Sequence, residues 1–301
     1  RGMKVWILDD SHFPTGYCNG KMEEKPVKCR RWFLTYKVLG EVKERQEGVW
    51  TSNEYERAKT FEPTWIESYF HMSFETFSDD RWLGAVAVNA EGGKISFRSE
   101  DGVWKIYSCQ LTRNRGPHRN YMNMLDEEAC RTLIETVYEP HYEHYAKDFG
   151  TTIAGFFSDE PEIGNGHLYE MDRRIYENED QPWSQELQHD LENRWGKDYL
   201  KYLPLLWEAE FEENLTAKVR YGYMDLVTRR VEMDFSKQIG NWCRDHGVQY
   251  IGHLIEDNNQ HARCGSSLGH FFRGLSVQDM SGIDDIGGQV IPQGEDIEYI
   301  S

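Results

Sequence analysis

The stretch "TIAGFFSDEP", residues 152–161, decides how this chain is read. The apolar run from Ile153 to Phe157 has the length and side-chain type of a buried strand, and it stops at Ser158-Asp159-Glu160-Pro161. Side chains alternate along a strand, so Ala154, Phe156, Ser158 and Glu160 are predicted to share one face. Ala154 and Ser158 are small enough for the crowded interior of a barrel, which would send Glu160 into its mouth. A carboxyl group there, beside Phe156 and Phe157, would be partly desolvated. Desolvation raises a carboxylic pKa toward the value a general acid needs. Pro161 disfavours a helical Glu160 and fixes the exit of the chain. The plainer alternative is a strand-end acid that simply meets solvent.

Similar segments lie on either side. "MKVWIL" (3–8), "VQYIGHLIED" (248–257) and "GLSVQDMSGIDD" (274–285) read as further strands. Between them the apolar period is helical. Asp126 followed by Glu127 and Glu128 opens a helix whose stripe runs through Ala129, Leu133, Val137 and Tyr142 to Gly150, with a kink expected at Pro140. Further helices are predicted over 184–195, roughly 198–212, and 216–246. Strands alternating with long helices imply parallel strands joined by crossovers. No GxGxxG follows a strand, so a dinucleotide fold is unsupported. The strands end in acids: Asp9-Asp10, Asp159-Glu160, Glu256-Asp257, Asp279 and Asp284. Acids gathered at strand C-termini are what the active face of an α/β barrel looks like. Residues 30–112 differ, being rich in β-branched and aromatic side chains, with a hairpin signal at Glu91-Gly92-Gly93. The expected fold class is therefore α/β, a partial (β/α)8 TIM-barrel-like segment (1–29 and 113–301) carrying a small antiparallel β insertion (30–112).

Among the 301 residues, 52 acidic side chains against 34 basic give a formal net charge of −18. That balance argues against nucleic acid or an anionic membrane as partner, since both need a basic footprint. No apolar run is long enough to span a membrane. The 10 Trp, 17 Tyr and 14 Phe could stack on sugar rings or fill a core. Six cysteines lack CxxC pairing or zinc-ligand spacing and read as scattered thiols. The chain opens at Arg1 directly into a strand, which suggests a piece of a longer protein. The remaining domains of that parent chain are then expected partners, and the missing signal peptide says little about compartment. A bacterial-type cytoplasmic location is favoured.

The candidate chemistry is carboxylate chemistry. His253 shares a predicted strand face with Ile251 and Ile255, and Glu256 and Asp257 close that strand. Imidazole and carboxylate together can hold a sugar hydroxyl. A metal set of His253, Glu256 and His261 is conceivable, but no HExxH supports it. Asp9, Asp10 and His12 would line the same rim. Asp279, Asp284 and Asp285 alternate with glycines, and Glu295 follows "IPQG". Glycine-rich acidic loops can bind calcium, yet the EF-hand pattern is absent. There is no GxSxG elbow and no cysteine in a nucleophile signature. What survives is a pair of carboxylates with no organic cofactor, the pattern of glycosidic-bond hydrolysis.

"MKVWILDDSHFPTG", "TIAGFFSDEP", "GHLIEDNNQH" and "QDMSGIDDI", in this order and spacing, resemble the barrel segment of the large glycoside hydrolases of family 106, the α-L-rhamnosidase type. "FSDEP" is the most specific piece. The resemblance implies a carbohydrate substrate, inverting hydrolysis by two carboxylates, and an association with calcium. It implies Glu160 as general acid, with Glu295 or Glu256 as base. Asp9, Asp10, His12, Asp159, His253, Asp257, Asp279 and Asp284 are then expected around the substrate. Only four or five barrel strands can be counted, so a non-catalytic carbohydrate-binding or scaffolding fragment of a larger glycosidase is the rival reading. A metal-dependent hydrolase centred on His253, Glu256 and Asp257 is a third.

Overall fold

In a computed structural model of the protein, the described residues are 2–43, 80–97, 102–113, 119–164, 180–208, 211–254 and 267–282. Their strands, in chain order, are β1 (Val5–Leu8), β2 (Trp32–Val42), β3 (Arg81–Asn89), β4 (Lys94–Ser96), β5 (Trp104–Arg113), β6 (Ile153–Asp159), β7 (Gln181–Trp183), β8 (Gln249–His253) and β9 (Met280–Ser281). The main helices are α1 (Glu127–Leu133), α2 (Glu139–Tyr145), α3 (Gln185–Trp195), α4 (Glu213–Arg230), α5 (Lys237–Asp245) and α6 (Phe271–Leu275). The chain divides into two units. Unit 1 takes Arg1–Arg30, Tyr121–Ile175 and Val227–Ser301; unit 2 takes Arg31–Asn120 and Tyr176–Leu226.

Unit 1 is built on a parallel sheet in the order β1-β6-β8-β9. Its strands lie so close at two points that only glycine fits. A Cβ on Gly155 would overlap the Gln249 carbonyl oxygen and approach the Trp6 ring to 2.7 Å, and one on Gly252 would overlap the Ser158 carbonyl. Asp126 starts α1 as predicted, its Oδ1 accepting from the Ala129 N–H at 2.8 Å. The helix passes through a π-helical turn, Ile134–Tyr138, immediately before Pro140, whose missing N–H disturbs the ladder there. A second π turn, Val231–Ser236, leads into α5.

These helices cover one face of the sheet. Phe156 is fully buried, stacks on Tyr138 at 4.1 Å between centroids, and meets the edge of Trp242 at 5.9 Å. Trp242 in turn stacks on His246 at 3.8 Å. Burying a ring of this size stabilises the packing by roughly 1.5–3 kcal/mol. Ala154, Phe156 and Ser158 therefore point toward the helices, not into a barrel lumen. The other face carries Trp6, Leu8, Phe157, Asp159, Ile251 and His253, with Leu8 half exposed.

The (β/α)8 TIM-barrel expectation is overturned. Among the described residues the parallel sheet has four strands and two open edges, since β1 pairs only with β6 and β9 only with β8. The next described strand after β6 does not join the parallel sheet. It is β7, which pairs antiparallel with β2.

Unit 2 is a five-stranded antiparallel sheet in the order β4-β3-β5-β2-β7, larger than a small insertion and drawing on two separate stretches of chain. β2 and β3 are bent by bulges at Val38/Gly40 and Trp82/Gly84. The β3–β4 hairpin closes at the predicted glycines, with the Gly93 N–H on the Ala90 carbonyl and φ +60° at Gly93. Pro182 is tolerated because β7 is an edge strand. Ser184 caps α3 through the Leu187 N–H at 2.9 Å, and Gly196 ends it. Among the described residues, no helix is long and apolar enough to cross a membrane.

Candidate functional site

The carboxyl ends of β6 and β8 bring Asp159, Glu160 and His253 together. Register pairs Asp159 with His253, so both side chains leave the same face of the sheet. His253 Nε2 lies 2.9 Å from Asp159 Oδ1, and His253 Nδ1 lies 4.0 Å from Glu160 Oε1. The Phe157 ring flanks the imidazole, with 5.7 Å between centroids. The side chains of His253, Glu160 and Asp159 are 8%, 12% and 31% exposed, a graded opening from a nearly buried imidazole to a partly solvated carboxylate. A carboxylate on Nε2 holds the imidazole hydrogen there and leaves Nδ1 facing Glu160.

Glu160 reaches this face by an irregular backbone. Strict alternation would turn it with Ser158 toward the helices. Its φ of +46° lies in the left-handed region, which ends the pleat and turns the side chain toward His253. A glutamate held there costs of order 1–3 kcal/mol and persists only where surrounding contacts determine it.

Those contacts come from the loop after β1. The Thr15 N–H donates to the Asp159 carbonyl at 2.8 Å, and the Asp159 N–H donates to Thr15 Oγ1, also at 2.8 Å. The Tyr121 hydroxyl donates to the Thr15 carbonyl and accepts from the Glu162 N–H at 3.2 Å. Glu162 is itself buried.

Asp9 is fully buried on the helix-covered face. Its Oδ1 accepts from the Thr15 hydroxyl at 2.7 Å, and its Oδ2 accepts from the Tyr138 hydroxyl at 2.7 Å and from the Ser158 hydroxyl. The Tyr250 hydroxyl donates to Ser158 Oγ at 3.0 Å. Burial pushes the Asp9 carboxyl up to about 7, against the opposing pull of its three hydroxyl donors.

Asp10 organises the loop. Its carboxylate accepts from four backbone N–H groups, those of His12, Gly16, Cys18 and Asn19, at 2.7–3.1 Å. His12 is exposed, beside the Tyr17 ring and 3.1 Å from Ser11 Oγ. Asp279 sits at the other end of β8: its Oδ2 accepts from the Tyr250 N–H at 2.8 Å, near the start of the strand. Glu256, Asp257, His261, Asp284, Asp285 and Glu295 lie outside the described residues. Sequence reasoning missed Thr15, Tyr138, Ser158 and Tyr250 as parts of the site's frame. A buried hydroxyl in "FPTG", next to an acid-ended strand, was the available signal for Thr15. No group of three or more His, Cys, Asp or Glu among the described residues is arranged to hold a metal ion.

No protein-family model matches the chain, and no curated protein matches it. Among solved structures it is similar to the rhamnosidase from Novosphingobium sp. PP1Y, at 14% identity and a TM-score of 0.39 over 59% of this chain. The match spans 16% of that protein's length.

Proposed function

We propose that the chain carries the acid end of a glycoside hydrolase site, of the inverting, α-L-rhamnosidase-like type, with Glu160 as general acid. The observation that carries this reading is the Asp159–His253–Glu160 cluster. Two carboxyl groups flank one imidazole at the carboxyl ends of adjacent parallel strands, and the second carboxyl is held in a left-handed backbone turn. Strained backbone of this kind clusters at reactive sites, where surrounding contacts hold it. In this role Glu160 donates its proton to the leaving glycosidic oxygen. The carboxylate it becomes lies 4.0 Å from His253 Nδ1. A second carboxylate activates water from the opposite face of the sugar. Glu295 and Glu256 are the residues proposed for it on the sequence resemblance.

The test compares an alkyl with a 4-nitrophenyl α-L-rhamnoside. Losing a general acid should slow the alkyl glycoside about 10²-fold or more, and the 4-nitrophenyl glycoside far less, because that leaving group needs little protonation. Glu160→Gln is expected to show this pattern, and NMR of fresh product should show the inverted anomer. Undiminished alkyl-glycoside turnover by Glu160→Gln would remove Glu160 from the role. Sugar binding by the wild-type chain with no turnover would favour the non-catalytic module.

A further inference from the structure

We infer that Asp9 is a positioning residue for the Asp159–Glu160 corner, acting through the Thr15 and Ser158 hydroxyls rather than on a substrate. The inference rests on reading Glu160 as the general acid. Asp9 is fully buried, so its carboxyl touches only the protein. The Thr15 hydroxyl has one hydrogen to give and lone pairs to offer. Asp9 Oδ1 takes the hydrogen at 2.7 Å, which aims the remaining lone-pair density at the Asp159 N–H, 2.8 Å away. The same logic holds at Ser158. Its oxygen accepts from Tyr250 at 3.0 Å and its hydrogen goes to Asp9 Oδ2. One carboxyl thus fixes the rotors of two hydroxyls. One of them is on the residue before Asp159; the other clasps the Asp159 N–H while the Thr15 N–H clasps the Asp159 carbonyl.

The consequence is directional. The peptide that leads into Glu160 follows directly from the clasped residue. The left-handed φ of Glu160 is not a conformation a free glutamate adopts readily, so something must impose it. The clasp at Asp159 also sets where its carboxylate meets His253 Nε2. Asp9 therefore sits behind the sheet and governs two groups in front of it.

Thr15→Val keeps the shape of the side chain and removes the hydroxyl, whereas Thr15→Ser keeps the hydroxyl. Both are made in the full chain and checked by circular dichroism and thermal unfolding. On an alkyl α-L-rhamnoside, Thr15→Val is expected to lower kcat by about 10- to 100-fold with KM little changed, and Thr15→Ser to restore most of it. The ¹⁵N signals of the His253 imidazole give a second readout. A single tautomer with hydrogen on Nε2 is expected in the wild type and in Thr15→Ser, and a mixed population in Thr15→Val. Wild-type kcat and an unchanged tautomer in Thr15→Val, or equal damage from Val and Ser, overturns the inference. If Thr15→Val does not fold, Ser158→Ala is read the same way, and an unchanged kcat there overturns it. If the wild type hydrolyses no glycoside, the functional reading falls on its own. The tautomer comparison then still decides the positioning role, with a shift confined to Thr15→Val supporting it and no shift overturning it.

Discussion

Asp9→Asn should change how stability depends on pH, and the sign follows from burial. In the folded protein the Asp9 carboxyl titrates near 7, against an ordinary value of 3.8. Between these values the folded chain keeps a proton that the unfolded chain has released. The stability tied to this proton is complete below about 3.8, falls as pH rises, and is gone above about 7. The interval is roughly three pH units at about 1.4 kcal/mol each, so the wild type should lose about 4 kcal/mol across it from this group. The amide of the Asp9→Asn variant does not titrate, so that protein should show none of this loss. Other ionisable groups near Asp9 are common to both proteins. Asp10 is one; the Tyr138, Tyr250, Cys18 and Cys243 side chains are driven upward by burial and stay neutral throughout. The assay is urea unfolding of both proteins at half-unit steps from pH 4 to 8, read as the difference in unfolding free energy. The wild type should fall steadily relative to Asp9→Asn up to about pH 7 and then run parallel to it. A difference that stays flat, or that rises with pH, would refute the claim that burial dominates the three hydroxyl donors.

Gly155→Ala should be strongly destabilising, by more than the ~1–3 kcal/mol typical of overpacking, because the new methyl overlaps backbone rather than a movable side chain; a thermal melt within about 2 °C of wild type would contradict the register of β6 against β8. Glu160→Asn should be as stable as wild type or more stable by up to about 1 kcal/mol while losing turnover, since asparagine tolerates a left-handed φ; chemical denaturation and alkyl-glycoside assays check the two halves together. Ser184→Ala should cost about 1 kcal/mol through the lost cap on α3, measured by urea unfolding, with Ser184→Asp recovering most of it.

Much of the local structure was legible because its chemistry is local. Asp126 and Ser184 each cap a helix with an oxygen three residues ahead of the amide they bind. Gly93 supplies a positive φ where the hairpin needs one. The partners of the strands were not legible. Gln181–Trp183 carries no mark that sends it to β2 rather than to the parallel sheet, and a three-residue strand has too little pattern to specify a neighbour. The barrel expectation failed at that step. A run of parallel strands reads alike whether it closes into a ring or stops with open edges.

The face of β6 was misjudged for a related reason. Both of its sides are apolar, Ile153 and Phe157 on one and Ala154 and Phe156 on the other, so alternation alone leaves the inward side unmarked. The aromatic stack of Phe156 on Tyr138 decides it, and that contact spans residues far apart in sequence. With that face toward the helices, regular pleating would bury Glu160 with Ser158 beside Asp9. Instead the backbone reverses at Glu160 and delivers the carboxyl to His253. The sequence reading of Glu160 therefore took the opposite face of β6 and had no such turn in it. The turn brings the Glu160 carboxyl to 4.0 Å from the imidazole, and on the proposed reading the buried Asp9 network is placed where it can hold that turn in its left-handed form.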